Sequence, residues 1–97
     1  MSSAYVVSHV DASDTPQFRE YKDRVTAVVR QYGGEYLVRG GRYERLEGRE
    51  PASRHVIMRF PSYEQALAWY NSKEYKALKD LRFGSAPADI VVIEGMD

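Results

Sequence analysis

The chain contains no cysteine, which removes disulfides, thiolate metal sites and cysteine nucleophiles from consideration. It has no net charge either: 14 Lys and Arg balance 14 Asp and Glu. A neutral chain lacks the sequence-independent attraction that carries most nucleic-acid binding, so no nucleic-acid partner is expected. No apolar run approaches the roughly 18 residues of a membrane span, and the opening MSSAYVVSHVD has no basic stretch of the kind that begins a secretory signal. A soluble, cytoplasmic protein without membrane association is the expectation. A phosphate loop, a dinucleotide fingerprint and a serine with a recognisably spaced histidine partner are all missing. At 97 residues there is room for one core, so residues 1–97 are expected to form a single domain.

What is present alternates between strand and helix. Residues 4–10, AYVVSHV, are apolar and β-branched enough for a strand, and Asp11 to Asp14 turn the chain. Thr15 can cap a helix whose first position suits Pro16. Phe18, Tyr21, Val25, Val28, Val29 and Tyr32 then recur every three or four residues, until Gly33-Gly34 ends the helix. A strand is predicted from Glu35 through the Gly40-Gly41 interruption to about Leu46. A loop around Pro51 and a strand over residues 54–60 follow. Ser62 with Gln65 fits a capping box for a helix whose inner face holds Tyr63, Ala66, Leu67 and Tyr70. A second helical piece runs from Lys73 to about Phe83, Gly84 to Pro87 break it, and residues 88–94 form the last strand. The order β-α-β-β-α-β predicts an α+β, ferredoxin-like fold: a four-stranded antiparallel sheet with its helices on one face.

The strands do not alternate as half-exposed antiparallel strands should. Ile90 to Ile93 are four apolar residues in succession, and Val56 to Met58 are three. Helices cover only one face of such a sheet. The other would leave about five or six large apolar side chains in water, each worth about 1.5–3 kcal/mol if buried. The sum, on the order of 10 kcal/mol, matches the 4–15 kcal/mol that association costs. A homodimer with its sheets packed face to face is therefore expected.

Arg39 stands out among residues that could carry chemistry. A bulge made by Gly40 or Gly41 would bend the strand and re-aim this guanidinium, which suits a carboxylate or phosphate. The alternative is a structural bend with Arg39 paired to Glu35 or Glu94. Tyr21, Trp69, Tyr70 and Tyr75 form an aromatic set that would pack the core or line a pocket between helices and sheet. Lys73, Lys76, Lys79 and Arg82 form a basic stripe that Glu74 and Asp80 interrupt, as on a solvated helix face, but Arg82, next to Leu81 and Phe83, could turn inward toward the cleft of Arg39. His9 and His55 fall at one end of the sheet near Asp11, but without a tight ligand motif no metal site is expected.

Four stretches, YGGEYLVRGGRYERLEG (32–48), FPSYEQALAWYNSKEY (60–75), LRFGSA (81–86) and VVIEG (91–95), resemble the domain of unknown function family 1330 over almost the whole chain. Such proteins resemble the wider dimeric α+β barrel superfamily. The resemblance implies a face-to-face dimer and a ligand cleft between helices and sheet. By position it makes Tyr21, Arg39, Trp69, Tyr70 and Arg82 the candidate ligand-binding residues, with Arg39 and Tyr21 the candidates for catalysis. The family has no settled activity, but superfamily relatives include cofactor-independent monooxygenases, lactone isomerases and haem-degrading enzymes. One reading is therefore a monooxygenase-like or isomerase-like enzyme that uses no metal or organic cofactor, acting on a small anionic aromatic or carbonyl compound. The alternatives are a non-catalytic metabolite-binding dimer and a structural or partner-binding dimer without a pocket.

Overall fold

A computed structural model describes residues 2–12, 14–83 and 86–97. Part of the turn expected over Asp11 to Asp14, and Gly84 and Ser85 of the expected helix break, lie outside the described residues. The elements follow in the order β1 (Ala4–Val10), α1 (Pro16–Gln31), β2 (Glu35–Arg39), β3 (Arg54–Phe60), α2 (Tyr63–Tyr70), α3 (Lys73–Phe83) and β4 (Ala88–Glu94). The strands form one antiparallel sheet in the spatial order β2-β3-β1-β4, the ferredoxin-like arrangement.

Local signals set the helix ends. The Thr15 hydroxyl accepts from the Phe18 amide, and the Ser62 hydroxyl from the Gln65 amide, each satisfying a donor the first helical turn leaves free. Gly33, at φ +84°, turns the chain out of α1 in the left-handed conformation glycine tolerates best. Ser72 links the other two helices: its hydroxyl donates to the Trp69 carbonyl at 2.7 Å and accepts from the Tyr75 amide at 3.1 Å. Trp69 lies in the last turn of α2 and Tyr75 in the first turn of α3, and their rings stand 4.5 Å apart.

The core lies between the helices and one sheet face. Val25 and Val29 of α1, Ala66 and Trp69 of α2, and Tyr75 and Leu78 of α3 pack on Ala4 and Val6 of β1 and Met58 and Phe60 of β3. On β1 the alternation is clear, because Ala4, Val6, Ser8 and Val10 are buried while Tyr5, Val7 and His9 are not. The other face is bare in the single chain. Val91 and Ile93 are 52% and 51% exposed, and Leu37 and Val38 join them at the β2 edge.

The second strand is shorter than its sequence predicts. It stops at Arg39 rather than Leu46, and no strand forms between Gly40 and Ser53. Gly40 takes φ +73°, which leaves the extended region, although its amide still donates to the His55 carbonyl at 2.9 Å. The bulge also falls earlier than Gly40-Gly41. Tyr36 pairs with Met58 and Val38 with Ile57, so Leu37 is the extra residue.

Candidate functional site

That one-residue shift decides where Arg39 points. Tyr36 stands opposite Met58 on the helix side of the sheet. In a regular strand Val38 would share that side and Arg39 would face away. With Leu37 inserted, Val38 pairs with Ile57 on the bare face, and Arg39 pairs with Val56 on the helix side. Arg39 thus comes to lie over the Tyr36 ring, 4.3 Å from its centroid. Its Nη1 donates to Thr26 Oγ1 at 2.8 Å and its Nη2 to the Lys22 carbonyl at 2.9 Å. Those two residues are one turn apart on α1. Arg39 pairs with neither Glu35 nor Glu94; Glu35 pairs with Arg59 instead.

Arg39, itself still exposed, lines a cavity between sheet and helices of about 40 Å³. Tyr21, Trp69 and Arg82 line the same cavity, so four of the five candidate residues meet there. Tyr70 does not. It lines a neighbouring apolar cavity of about 110 Å³ with Leu67 and Val92, and Trp69 borders both. Lys79 sits 4.4 Å from the Tyr70 ring centroid. The further residues that line the first cavity include Tyr36, Arg54 and Tyr75. Tyr75 was visible in sequence as an aromatic at helical spacing. Nothing marked Arg54, because its place depends on the strand register.

The cavity is rich in donors. The Tyr21 and Tyr75 hydroxyls are 2.9 Å apart, so one donates to the other and a proton remains to offer elsewhere. Burial, reinforced by Tyr75, pushes the Tyr21 phenol far above the usual tyrosine range, with Arg82 opposing. At neutral pH Tyr21 is a neutral donor rather than a base. Burial likewise raises Tyr36, against the pull of Arg39. The Trp69 indole N–H is buried and meets no acceptor among the described residues, a costly state unless something else supplies one. Arg82 is 3% exposed, with its guanidinium carbon 6.0 Å from the Tyr21 ring centroid. No Asp, Glu or His is among the lining residues described. Such a cavity can stabilise negative charge and donate hydrogen bonds, but its side chains offer nowhere for a proton to go.

The two histidines do meet. Their Nδ1 atoms are 2.8 Å apart on the bare face, where Tyr43 packs on the His55 ring. No third ligand joins them: among the described residues no three His, Cys, Asp or Glu side chains gather as a metal site would require. No helix among the described residues is long and apolar enough to cross a membrane.

A small antiparallel sheet covered on one face by helices, with an arginine- and tyrosine-lined cavity between the layers, defines an α+β protein of the ferredoxin-like class. The family described as Domain of unknown function (DUF1330) matches residues 3–96, and the chain belongs to it. No curated protein matches significantly. Among solved structures, the chain is similar to a protein of unknown function from Rhodopseudomonas palustris, at 14% identity and a TM-score of 0.74, covering 99% of this chain and 84% of that one. It is also similar to SnoaB, a cofactor-independent oxygenase from Streptomyces nogalater, at 8% identity and a TM-score of 0.66, covering 100% and 96%. A third is a dimeric ferredoxin-like protein of unknown function from Thermobifida fusca, at 10% identity and a TM-score of 0.55, covering 97% and 92%. At such identities the likeness is one of fold.

Proposed function

We propose that this protein is a homodimer whose protomers each bind a small anionic carbonyl compound in the cavity between sheet and helices. The observation that carries the reading is the turning of Arg39, by the Leu37 bulge, into the cavity lined by Tyr21, Trp69 and Arg82. Arg39 holds the anion. The neutral Tyr21–Tyr75 hydroxyl pair and the Trp69 indole donate to an uncharged oxygen of the same ligand. Of the anionic aromatic and carbonyl compounds the sequence leaves open, the cavity of about 40 Å³ favours a small carbonyl compound, since pockets for drug-sized ligands run to about 300–1,000 Å³. The apolar back of the sheet, with Val91, Ile93, Leu37 and Val38 in water, supports the dimer, as does the dimeric ferredoxin-like neighbour.

A second reading is favoured by the donor-only lining. A site that neutralises an oxyanion from several sides stabilises an enolate, but the lining supplies no base. Hydroxide from solvent would take the proton from the carbon beside the carbonyl and become water, and the arginine and phenol would hold the charge left on oxygen. The likeness to SnoaB is in keeping with cofactor-free chemistry on this fold.

Thermal-shift and NMR titrations with short oxo acids, comparing the wild type with Arg39→Ala and Tyr21→Phe, test the binding. Saturable binding to the wild type that both variants weaken is expected; equal behaviour of all three would remove the reading. Exchange of the protons beside the carbonyl for deuterium in D2O, followed by NMR, separates the enzyme from the binder. Acceleration by the wild type that both variants lose identifies catalysis, and binding without acceleration identifies a carrier or sensor.

A further inference from the structure

We propose that Arg54 and Arg39 form a two-guanidinium clamp for one carboxylate of a short oxo acid, and that Gly40 makes room for it. The proposal rests on the reading of the cavity as a ligand site, and names the class of ligand and a second anion-holding residue.

The register brings the two arginines together. Arg39 pairs with Val56, and Arg54 lies two residues from Val56 on the same strand. Arg54 also pairs with Val10, whose side chain is buried on the helix side. Arg39 and Arg54 are therefore diagonal neighbours on one face, a relation in which Cα atoms stand about 7–8 Å apart. Like charges so placed repel. Burial and the charge of Arg39 both hold the Arg54 guanidinium below its usual range.

No ion pair relieves this repulsion among the described residues. The ion pairs described on β2, β3 and the segment between them join Glu35 to Arg59 and Glu50 to Arg45, and neither includes Arg39 or Arg54. Arg39 spends two of its five N–H donors on Thr26 and Lys22, which fixes its plane and leaves three for a ligand. Two cations beside a cavity without an acid are what a bound anion would compensate, and the guanidinium fork matches a planar carboxylate.

Gly40 explains how Arg54 reaches this place. A Cβ at Gly40 would lie 2.4 Å from Arg54 Nη1 and 3.0 Å from its Cζ. The guanidinium therefore rests against the bare glycine backbone, in space that any side chain would fill. The Gly40 conformation at φ +73° is also one that other residues resist. The glycine after Arg39 thus ends the strand and seats the second arginine.

The size and donors of the cavity narrow the ligand. A volume of about 40 Å³ accommodates roughly three water positions, enough for a carboxylate and the carbonyl beside it. The clamp takes the charged end, and the Tyr21–Tyr75 hydroxyls or the Trp69 indole, on the walls of the same cavity, take the keto oxygen. A 2-oxo acid of three or so carbons meets these demands. Acetate lacks the keto oxygen, acetone lacks the charge, and inorganic phosphate offers a tetrahedral anion with no carbonyl.

The test is an NMR titration at low ionic strength in phosphate-free buffer at pH 7, with pyruvate, acetate, acetone and inorganic phosphate as probes. Wild type, Arg39→Gln, Arg54→Gln, Arg54→Lys and Gly40→Ala are compared, each first shown to be folded by its amide spectrum. Pyruvate is expected to bind tightest to the wild type. Arg54→Gln should weaken it at least about tenfold, as loss of a charge-assisted hydrogen bond does. Arg54→Lys should recover part of that loss, and Gly40→Ala should imitate Arg54→Gln by displacing the guanidinium. Should Arg54→Gln not fold, Arg54→Lys and Gly40→Ala carry the comparison. If Arg54→Gln binds pyruvate like the wild type while Arg39→Gln does not, the clamp is wrong and the cavity remains a ligand site. If phosphate or acetate binds as tightly as pyruvate, the oxo-acid assignment is wrong. If no probe binds, or Arg39→Gln changes nothing, the reading of the cavity falls and takes the clamp with it.

Discussion

The helix side and the bare side of the sheet are built from alternate residues of the same strands, yet each is anomalous in the opposite sense. Toward the helices, where apolar side chains are the rule, the sheet presents Ser8, Arg39 and Arg54, and the helices add Arg82 and a pair of tyrosine hydroxyls. Away from them, where polar side chains are the rule, it presents Tyr5, Val7, Ile57, Val91 and Ile93. Polar groups gathered round a cavity, some buried like Arg82 and some exposed like Arg39, suit a partner small enough to enter. Apolar groups in the open call for a partner broad enough to lie flat. The difference teaches that one sheet can hold two unmet demands, and that they point to two kinds of partner.

The comparison breaks most sharply at the bare face. Val91→Glu with Ile93→Lys places charges at the centre of the proposed contact between copies. Each lost burial is worth about 1.5–3 kcal/mol, so dimer affinity should fall a hundredfold or more. Sedimentation velocity at micromolar concentration should show the wild type as a dimer and the variant as a folded monomer. A wild type that sediments as a monomer would end the interpretation of that face.

On the helix side the largest effect expected is from Trp69→Ala. Trp69 is 1% exposed and packs on Phe60, Tyr70 and Tyr75. Its removal should cost about 3–5 kcal/mol, measured by urea unfolding, and should open one cavity into the other. A loss below about 1 kcal/mol would mean that Trp69 is not the packed wall between them.

Tyr21→Phe is smaller. It deletes one hydroxyl of the buried pair, worth about 1 kcal/mol at neutral pH, and its clearer signature is in alkali. The folded-state pKa of Tyr21 is raised, so the contribution of this group is fully present below about pH 10, where an unfolded tyrosine ionises, and is lost as pH rises further. Stability of the wild type should fall above pH 10 more steeply than that of Tyr21→Phe, by up to about 1.4 kcal/mol per pH unit. Parallel curves would show that Tyr21 is not buried as a neutral phenol.

Helix ends and element order were legible in the chain because capping and periodicity are local. Thr15, Ser62 and Gly33 act on backbone within a few residues of themselves. The four apolar residues Ile90 to Ile93 announced a sheet with two apolar sides for the same reason, since the period of a strand is two. The second strand misled. EYLVRGGRYERL alternates well enough to extend to Leu46, but alternation does not reveal that the chain turns out of the sheet at Gly40. The site was half legible. Tyr21, Arg39, Trp69 and Arg82 could be named as candidates, but Tyr70 stands at the next cavity and Arg54 was invisible.

By itself the sequence determined a neutral, cysteine-free chain, the β-α-β-β-α-β order, and a sheet with more apolar surface than one layer of helices covers. Those properties are sums over residues or patterns within a few positions. Only the tertiary structure decided which way Arg39 faces, that Arg54 joins it, and that the tyrosine hydroxyls meet. Each depends on cross-strand register or on packing between helices distant in sequence. One inserted residue at Leu37 reverses the face of everything after it in the strand, and no local preference records that choice.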